Sequence, residues 1–192
     1  MLGQDFKVRM EYVGVGKRFW AGVVDSLVAM PTIASIFLAL NHERTAAILI
    51  LFLGLLLPSL YPIVCVSLWG QTLGKYLLKI KVVRVNGSEC AWKEGILRGI
   101  VVFVVQLTVS CFLVSILREA PESYFQSTDY QTKLIAFNAV SKSIFDTSQV
   151  LLGIWYLTDT ITFFTNSKYR ALHDFVAGTV VVRKEIPEET FG

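Results

Sequence analysis

Charge is scarce in this sequence and unevenly spread. Only 17% of its 192 residues are Asp, Glu, Lys or Arg, and none lies between Arg44 and Lys75 or between Arg98 and Arg118. About 20 apolar residues suffice to cross the hydrocarbon core of a bilayer, so charge-free stretches of this length leave no room for a soluble domain of ordinary size. Cysteine is also rare. Cys65, Cys90 and Cys111 form no CxxC pair and two of them fall in apolar stretches, which argues against a disulfide framework and a zinc site. Histidine occurs only at His42 and His173, and the topology derived below places these on opposite faces of a membrane, too far apart to share a metal. No catalytic constellation, cofactor motif, internal repeat or low-complexity tract is present. The net charge of +3 leaves no nucleic-acid footprint. Nothing in the sequence points to an enzyme.

What is there is apolar length: 54% of the residues are hydrophobic, and the mean hydropathy is +0.56. The expected fold is an all-α membrane protein of four transmembrane helices, at about 19–40, 45–69, 99–117 and 148–165. It is flanked by an N-terminal segment, 1–17, and a tail, 184–192, around a membrane domain of 18–183. Residues 1–17 lack the apolar core of a signal peptide, so the first span is expected to be its own insertion signal. Pro58 and Pro62 are expected to bend span 2. Between spans 2 and 3, residues 70–79 read as a short interfacial helix. Residues 80–87 then alternate apolar and basic side chains up to Asn86-Gly87, a tight-turn pair. With a return over 88–92 this makes a small cytoplasmic β-hairpin-like element, and the β-prone run 178–184 is expected to pair with 80–85. Residues 120–129 read as a loop in a long polar exterior segment, 118–146, with 133–145 a helix leading into span 4.

Orientation follows from the Lys and Arg residues of the connections. Fourteen fall at the N-terminus, in the middle loop and at the C-terminus, against Arg44, Arg118, Lys133 and Lys142 on the other side. Both termini are therefore expected in the cytoplasm, the membrane being a bacterial plasma (inner) membrane.

Two carboxylates sit inside apolar stretches. An ionisable group at membrane depth costs roughly 2.5–3.5 kcal/mol on insertion scales, so such residues have a partner or a purpose. At about 1.5 Å of rise per residue, Asp25 and Asp159 lie roughly 9 Å inside the cytoplasmic ends of spans 1 and 4. Tyr61 and Gln106 lie roughly 11–12 Å deep in spans 2 and 3. This one-per-span layer (Asp25, Tyr61, Gln106, Asp159) has two readings. It hydrogen-bonds the bundle together, or it forms a site for a proton, a monovalent cation or another small solute. An intramembrane protease is disfavoured because no glycine frames Asp159. Gly70-Gln71-Thr72-Leu73-Gly74-Lys75 is one residue short of a phosphate loop, with Tyr76 where a magnesium-binding Ser or Thr belongs. Arg18 lies about 10.5 Å along the helix from Asp25, too far for easy pairing, and its expected partner is Asp174, just beyond span 4. The pair would clasp the bundle from below, and a charge swap should rebuild it in part.

Three stretches together resemble the RDD family of membrane proteins. They are Arg18-Phe19-x-Ala21-x-x-x-Asp25; Gly70-Gln71-Thr72-x-Gly74-Lys75 leading into Ile80-Lys81-Val82-Val83; and Ala171-Leu172-His173-Asp174-x-x-Ala177-Gly178-Thr179-Val180-Val181-Val182. By this resemblance Arg18, Asp25 and Asp174 are the signature arginine and aspartates, with Asp159 the rival for the last. The family implies a polytopic membrane protein. Transport is suggested for it, including sodium/proton exchange in some members, and others are tied to membrane-protein regulation. The expected function is therefore a small-ion or small-solute transporter with an intramembrane carboxylate site, working as a homo-oligomer or with a partner because four helices make a thin pathway. The alternative is a non-catalytic regulatory or assembly subunit that uses segment 118–146 to bind another membrane protein.

Overall fold

The computed structural model describes residues 11–39, 41–127 and 129–183. The expected terminal segments therefore fall largely outside the described residues, with Lys7, Arg9 and Lys184 of the orientation argument. The elements run α1 (Val15–Ala39), α2 (Arg44–Trp69), α3 (Leu73–Leu77), β1 (Ile80–Arg84), α4 (Trp92–Glu119), α5 (Glu122–Gln126), α6 (Tyr130–Phe164), α7 (Leu172–Ala177) and β2 (Thr179–Arg183). Three helices, α1, α2 and α4, are long and apolar enough to cross a membrane.

Helix α4 starts well before the expected 99 because Glu94 folds back to accept the N–H of Ala91 at 2.8 Å, closing the first turn. The expected exterior loop 120–129 contains α5. Asp129 then starts α6, its carboxylate accepting the N–H groups of Gln131 and Thr132 at 3.1 and 3.3 Å. The helix expected over 133–145 and the expected fourth span are one continuous element of 35 residues. Segment 118–146 is also less exposed than its polarity suggests. Lys133, Phe137 and Ser141 are buried, and Phe137 joins Leu51, Leu55, Leu113 and Leu117 in the main core.

Inside lipid, apolar burial gives little drive for helix association, so close backbone approach has to supply it. Small residues mark those contacts. A Cβ on Gly54 would sit 2.1 Å from the Cβ of Ser35, joining α1 to α2. On Gly95 it would lie 2.0 Å from the hydroxyl of Ser67, and on Gly99 2.4 Å from Ile63, joining α2 to α4. Pro31, Pro58 and Pro62 all lie within helices that continue past them.

The β element departs from the expected hairpin. Strand β1 pairs antiparallel with β2, with Ile80 opposite Arg183 and Arg84 opposite Thr179, as the two β-prone runs predicted. After the Asn86-Gly87 turn, only an isolated Val83–Glu89 bridge returns along β1, so no hairpin strand forms. The long-range partner is favoured because Val180, Val181 and Val182 are buried on both faces of the strand, whereas 88–92 offers Cys90, Ala91 and an exposed Trp92 that begins α4. Residues 11–13 add to the other edge of β2, through a Tyr12–Val182 bridge and bonds linking Val13 to Val181 and Arg183 to Glu11. Ile80, Val82 and Val181 pack with Val13, Ala21 and Val66 at the ends of α1 and α2. Each such side chain contributes roughly 1.5–3 kcal/mol on full burial from water. The sheet is thereby fixed to one end of the helix bundle.

Candidate functional site

Asp174 is the centre of that end. It is the third residue of α7 and is completely buried, and both carboxylate oxygens are fully engaged. Oδ2 accepts from Arg18 Nη1 at 2.8 Å and from the N–H of Ala171 at 3.1 Å. Oδ1 accepts from Arg98 Nη1 and from the hydroxyl of Thr179 at 3.2 Å. A carboxylate has about four acceptor positions, and these four bonds use them all. One side chain thus joins α1, α4, α7 and β2. Burial opposes its ionisation, but Arg98, His173 and Arg18 outweigh burial and hold its pKa well below the usual carboxylate range. The expected Arg18–Asp174 pairing is therefore part of a three-residue cluster, in which the Arg18 and Arg98 side chains are only 13% and 9% exposed. Arg18 also donates to the carbonyl of Val13 at 3.2 Å and lies 5.0 Å over the ring of Phe163.

Asp25 organises a second cluster. Its Oδ1 accepts from the hydroxyl of Tyr61 at 3.1 Å and the N–H of Gly74 at 2.8 Å, and its Oδ2 from the hydroxyl of Thr72 at 2.6 Å. The Tyr61 oxygen in turn accepts the N–H of Leu73 at 2.7 Å. The first N–H groups of a helix have no partner within it, and its N-terminus favours negative charge. Here residues of α1 and α2 supply both. Gly74 is required by the fit, since a Cβ there would sit 2.1 Å from the carbonyl oxygen of Ala21. The Gly70–Lys75 motif that resembles a phosphate loop is thus a helix start that takes an internal carboxylate.

Of the expected layer, the structure brings Asp25 and Tyr61 together. Asp159 binds elsewhere: its carboxylate accepts the N–H of His173 at 3.0 Å and lies 2.7 Å from the imidazole Nδ1. Gln106 makes no side-chain hydrogen bond among the described residues, and its carbonyl accepts from Ser110. Equal depth does not imply contact, because depth says nothing about which way each helix face is turned.

Thr72, Lys75, His173 and Thr179 stand in the motifs of the sequence without an expected site role, and Arg98 was expected only to bracket span 3. For Arg98 a signal existed: it stands at the mouth of an apolar stretch just as Arg18 does. For the others the signal was their place in the motifs, and tertiary packing alone decides what each one meets. Together these elements enclose a cleft of about 370 Å³, lined by Arg18 of α1, Lys75 of α3, Arg98 of α4, Asp159 and Phe163 of α6 and His173 of α7. Burial, then the Arg98 charge, push the Lys75 ammonium down to about 8. Among the described residues no three His, Cys, Asp or Glu are arranged to hold a metal ion.

No curated protein and no solved structure matches the chain at a significant level. The RDD family profile, in contrast, matches residues 12–178, a range that includes Arg18, Asp25, the Asp25-binding helix start and the buried Asp174. The chain belongs to the RDD family, and its apolar helices are those of a membrane protein.

Proposed function

We propose that this RDD protein is a non-enzymatic small-solute carrier of the plasma membrane, with four spans, both termini cytoplasmic, and a solute site in the cleft between Arg18, Lys75, Arg98 and Asp159. The cleft is the observation that carries the reading. It gathers charged side chains from α1, α3, α4 and α6 at one end of an apolar bundle, and Phe19 and Phe164 on its rim are exposed. Ionisable groups that face a cavity in a helix bundle mark substrate and ion pathways in membrane proteins. The fourth span is supported by the reach of α6. Tyr130 stacks on Phe37 near one end of α1, and Phe163 lies under Arg18 near the other. A proton or monovalent cation held at Asp25 draws less support, because both Asp25 oxygens already accept hydrogen bonds from the protein.

The regulatory reading draws less support as well. Segment 118–146 would have to reach out to a partner, yet Lys133, Phe137 and Ser141 are buried within the chain's own fold. Arg44 also holds the start of this segment, through the carbonyls of Arg118 and Ala120 and the carboxylate of Glu122. A thin four-helix body implies a homo-oligomer as the translocating unit.

Flux into proteoliposomes is the test. Purified chain should move a small ion or solute down an imposed gradient, and Lys75→Met should slow it. Wild-type protein that carries neither cations nor anions would sink the proposal. Topology is read separately in intact cells with an impermeant maleimide and a background lacking native cysteines. Exposed Ser123→Cys should be labelled and exposed Asn86→Cys should not; the reverse pattern would overturn the orientation.

A further inference from the structure

The solute site has a chemical polarity that its net charge conceals. Three carboxylates, Asp25, Asp159 and Asp174, accompany the three cations Arg18, Lys75 and Arg98, but only Asp159 reaches the cleft wall. There it is already bound to His173. Asp174 is completely buried behind the cleft, and Asp25 faces Tyr61, Thr72 and Gly74. The wall is therefore cationic.

Those cations also have donors left over. Arg18 Nη2 is buried and has no hydrogen-bond partner among the described residues. Among the described residues Arg98 bonds to Asp174 and Thr179 through Nη1 alone, which leaves Nη2 and Nε unused. Lys75 forms no ion pair among the described residues, and its ammonium has a single bond, 3.4 Å long, to the Thr72 hydroxyl. A buried, partnerless donor is costly, and a half-buried cation without a counter-ion more so. An anion in the cleft would take donors from Arg98 and Lys75 directly and would lie beside the Arg18 charge. The two free donors of Arg98 and the Lys75 ammonium, on separate elements, suit a phosphate, which presents several oxygens in different directions, better than a flat carboxylate with two. The cavity exceeds what a phosphate alone fills, and the remainder is bounded by Phe163 and the exposed Phe19 and Phe164.

We infer that this cleft binds a phosphate group, free in solution or carried on a lipid headgroup, between Arg18, Lys75 and Arg98. The inference deepens the carrier reading and rests on the same cleft. A bound phosphate would raise the depressed pKa of Lys75 back toward its ordinary value.

Binding is measured on the purified full chain in maltoside micelles without any gradient. One arm titrates inorganic phosphate; the other titrates dihexanoyl phosphatidic acid, with dihexanoylglycerol as the phosphate-free control. At least one phosphate probe should bind saturably and the control should not. Lys75→Met removes no ion pair, so the fold survives. It should weaken binding roughly tenfold to a hundredfold, the loss of one charge-assisted hydrogen bond, and Lys75→Arg should recover most of it. Binding of phosphatidic acid alone assigns the headgroup as the source, and binding of inorganic phosphate assigns the free ion. Saturable binding by neither probe, or wild-type affinity in Lys75→Met, overturns the inference. A chain that binds phosphate but carries nothing defeats the carrier reading and leaves the phosphate site standing. A chain that carries another solute and binds neither probe does the reverse.

Discussion

Replacing Gly74 by alanine tests whether the Asp25 cluster holds the fold. The new Cβ would lie 2.1 Å from the carbonyl oxygen of Ala21, 2.9 Å from its carbonyl carbon and 3.0 Å from Cγ of Asp25. Two of these neighbours are backbone atoms of α1, so no side chain can rotate away and α3 must retreat. Forcing one extra carbon into a packed contact costs about 1–3 kcal/mol. The retreat also stretches the 2.8 Å bond from the Gly74 N–H to the Asp25 carboxylate, and bonds to charged groups are worth about 1.5–3 kcal/mol. The higher helix propensity of alanine offsets up to about 1 kcal/mol. The net loss is roughly 2–5 kcal/mol, and a chain of this size loses about 2–4 °C of Tm per kcal/mol, so Tm should fall by roughly 4–20 °C. Tryptophan fluorescence during a thermal ramp in detergent reads this directly. Gly153→Ala is the control: an added Cβ there meets nothing within 4 Å, so Tm should hold or rise slightly. If Gly74→Ala melts with the wild type, or the control falls as far, the close approach of α3 to α1 does not stabilise the protein.

The Asp174 cluster makes a second prediction. Asp174→Ala should destabilise the chain by about 3–5 kcal/mol, since it strands both Arg18 and Arg98, and Arg18→Ala should cost less because Asp174 keeps Arg98. The swap of Arg18→Asp with Asp174→Arg, which a simple pair would tolerate, should fail to recover Tm because the new arginine faces Arg98; recovery would refute the shared-hub arrangement. Two pH responses of the same sign, at opposite ends of the scale, follow from the shifted groups. Asp174 has a folded pKa below its unfolded value of about 3.9, so its contribution is complete above that pH and is lost as pH falls further toward the folded value. Lys75 falls from 10.5 to about 8, so between these values the unfolded state binds more protons and stability rises with pH. Denaturation midpoints should show the alkaline rise in wild type and its absence in Lys75→Met; an equal rise in both would refute it. At the other end of the bundle, Arg44→Lys should lower Tm by a few degrees and speed proteolysis after α4. A single ammonium cannot replace the fork that binds Arg118, Ala120 and Glu122 and stacks on Phe125 at 5.0 Å, and an unchanged cleavage rate would count against this.

The sequence by itself determined the membrane class, three of the long apolar helices and the family. Those follow from local quantities: the length of a charge-free run, and motif residues adjacent in the chain. It also paired β1 with β2, because two β-prone runs on one face of the membrane had few other partners. Tertiary structure decided the rest. Asp25, Tyr61, Gln106 and Asp159 share a depth, but rotation of each helix about its own axis decides contact, and that rotation is set by close approaches at glycines such as Gly74 and Gly95. The Arg18–Asp174 pairing could be expected from two charges at one boundary. That Arg98 shares the same carboxylate could not, because three charges meet only where four elements converge. The cleft and its cationic wall were illegible for the same reason. Lys75, Arg98 and His173 are far apart in sequence, and each alone reads as an ordinary charge at the edge of a membrane.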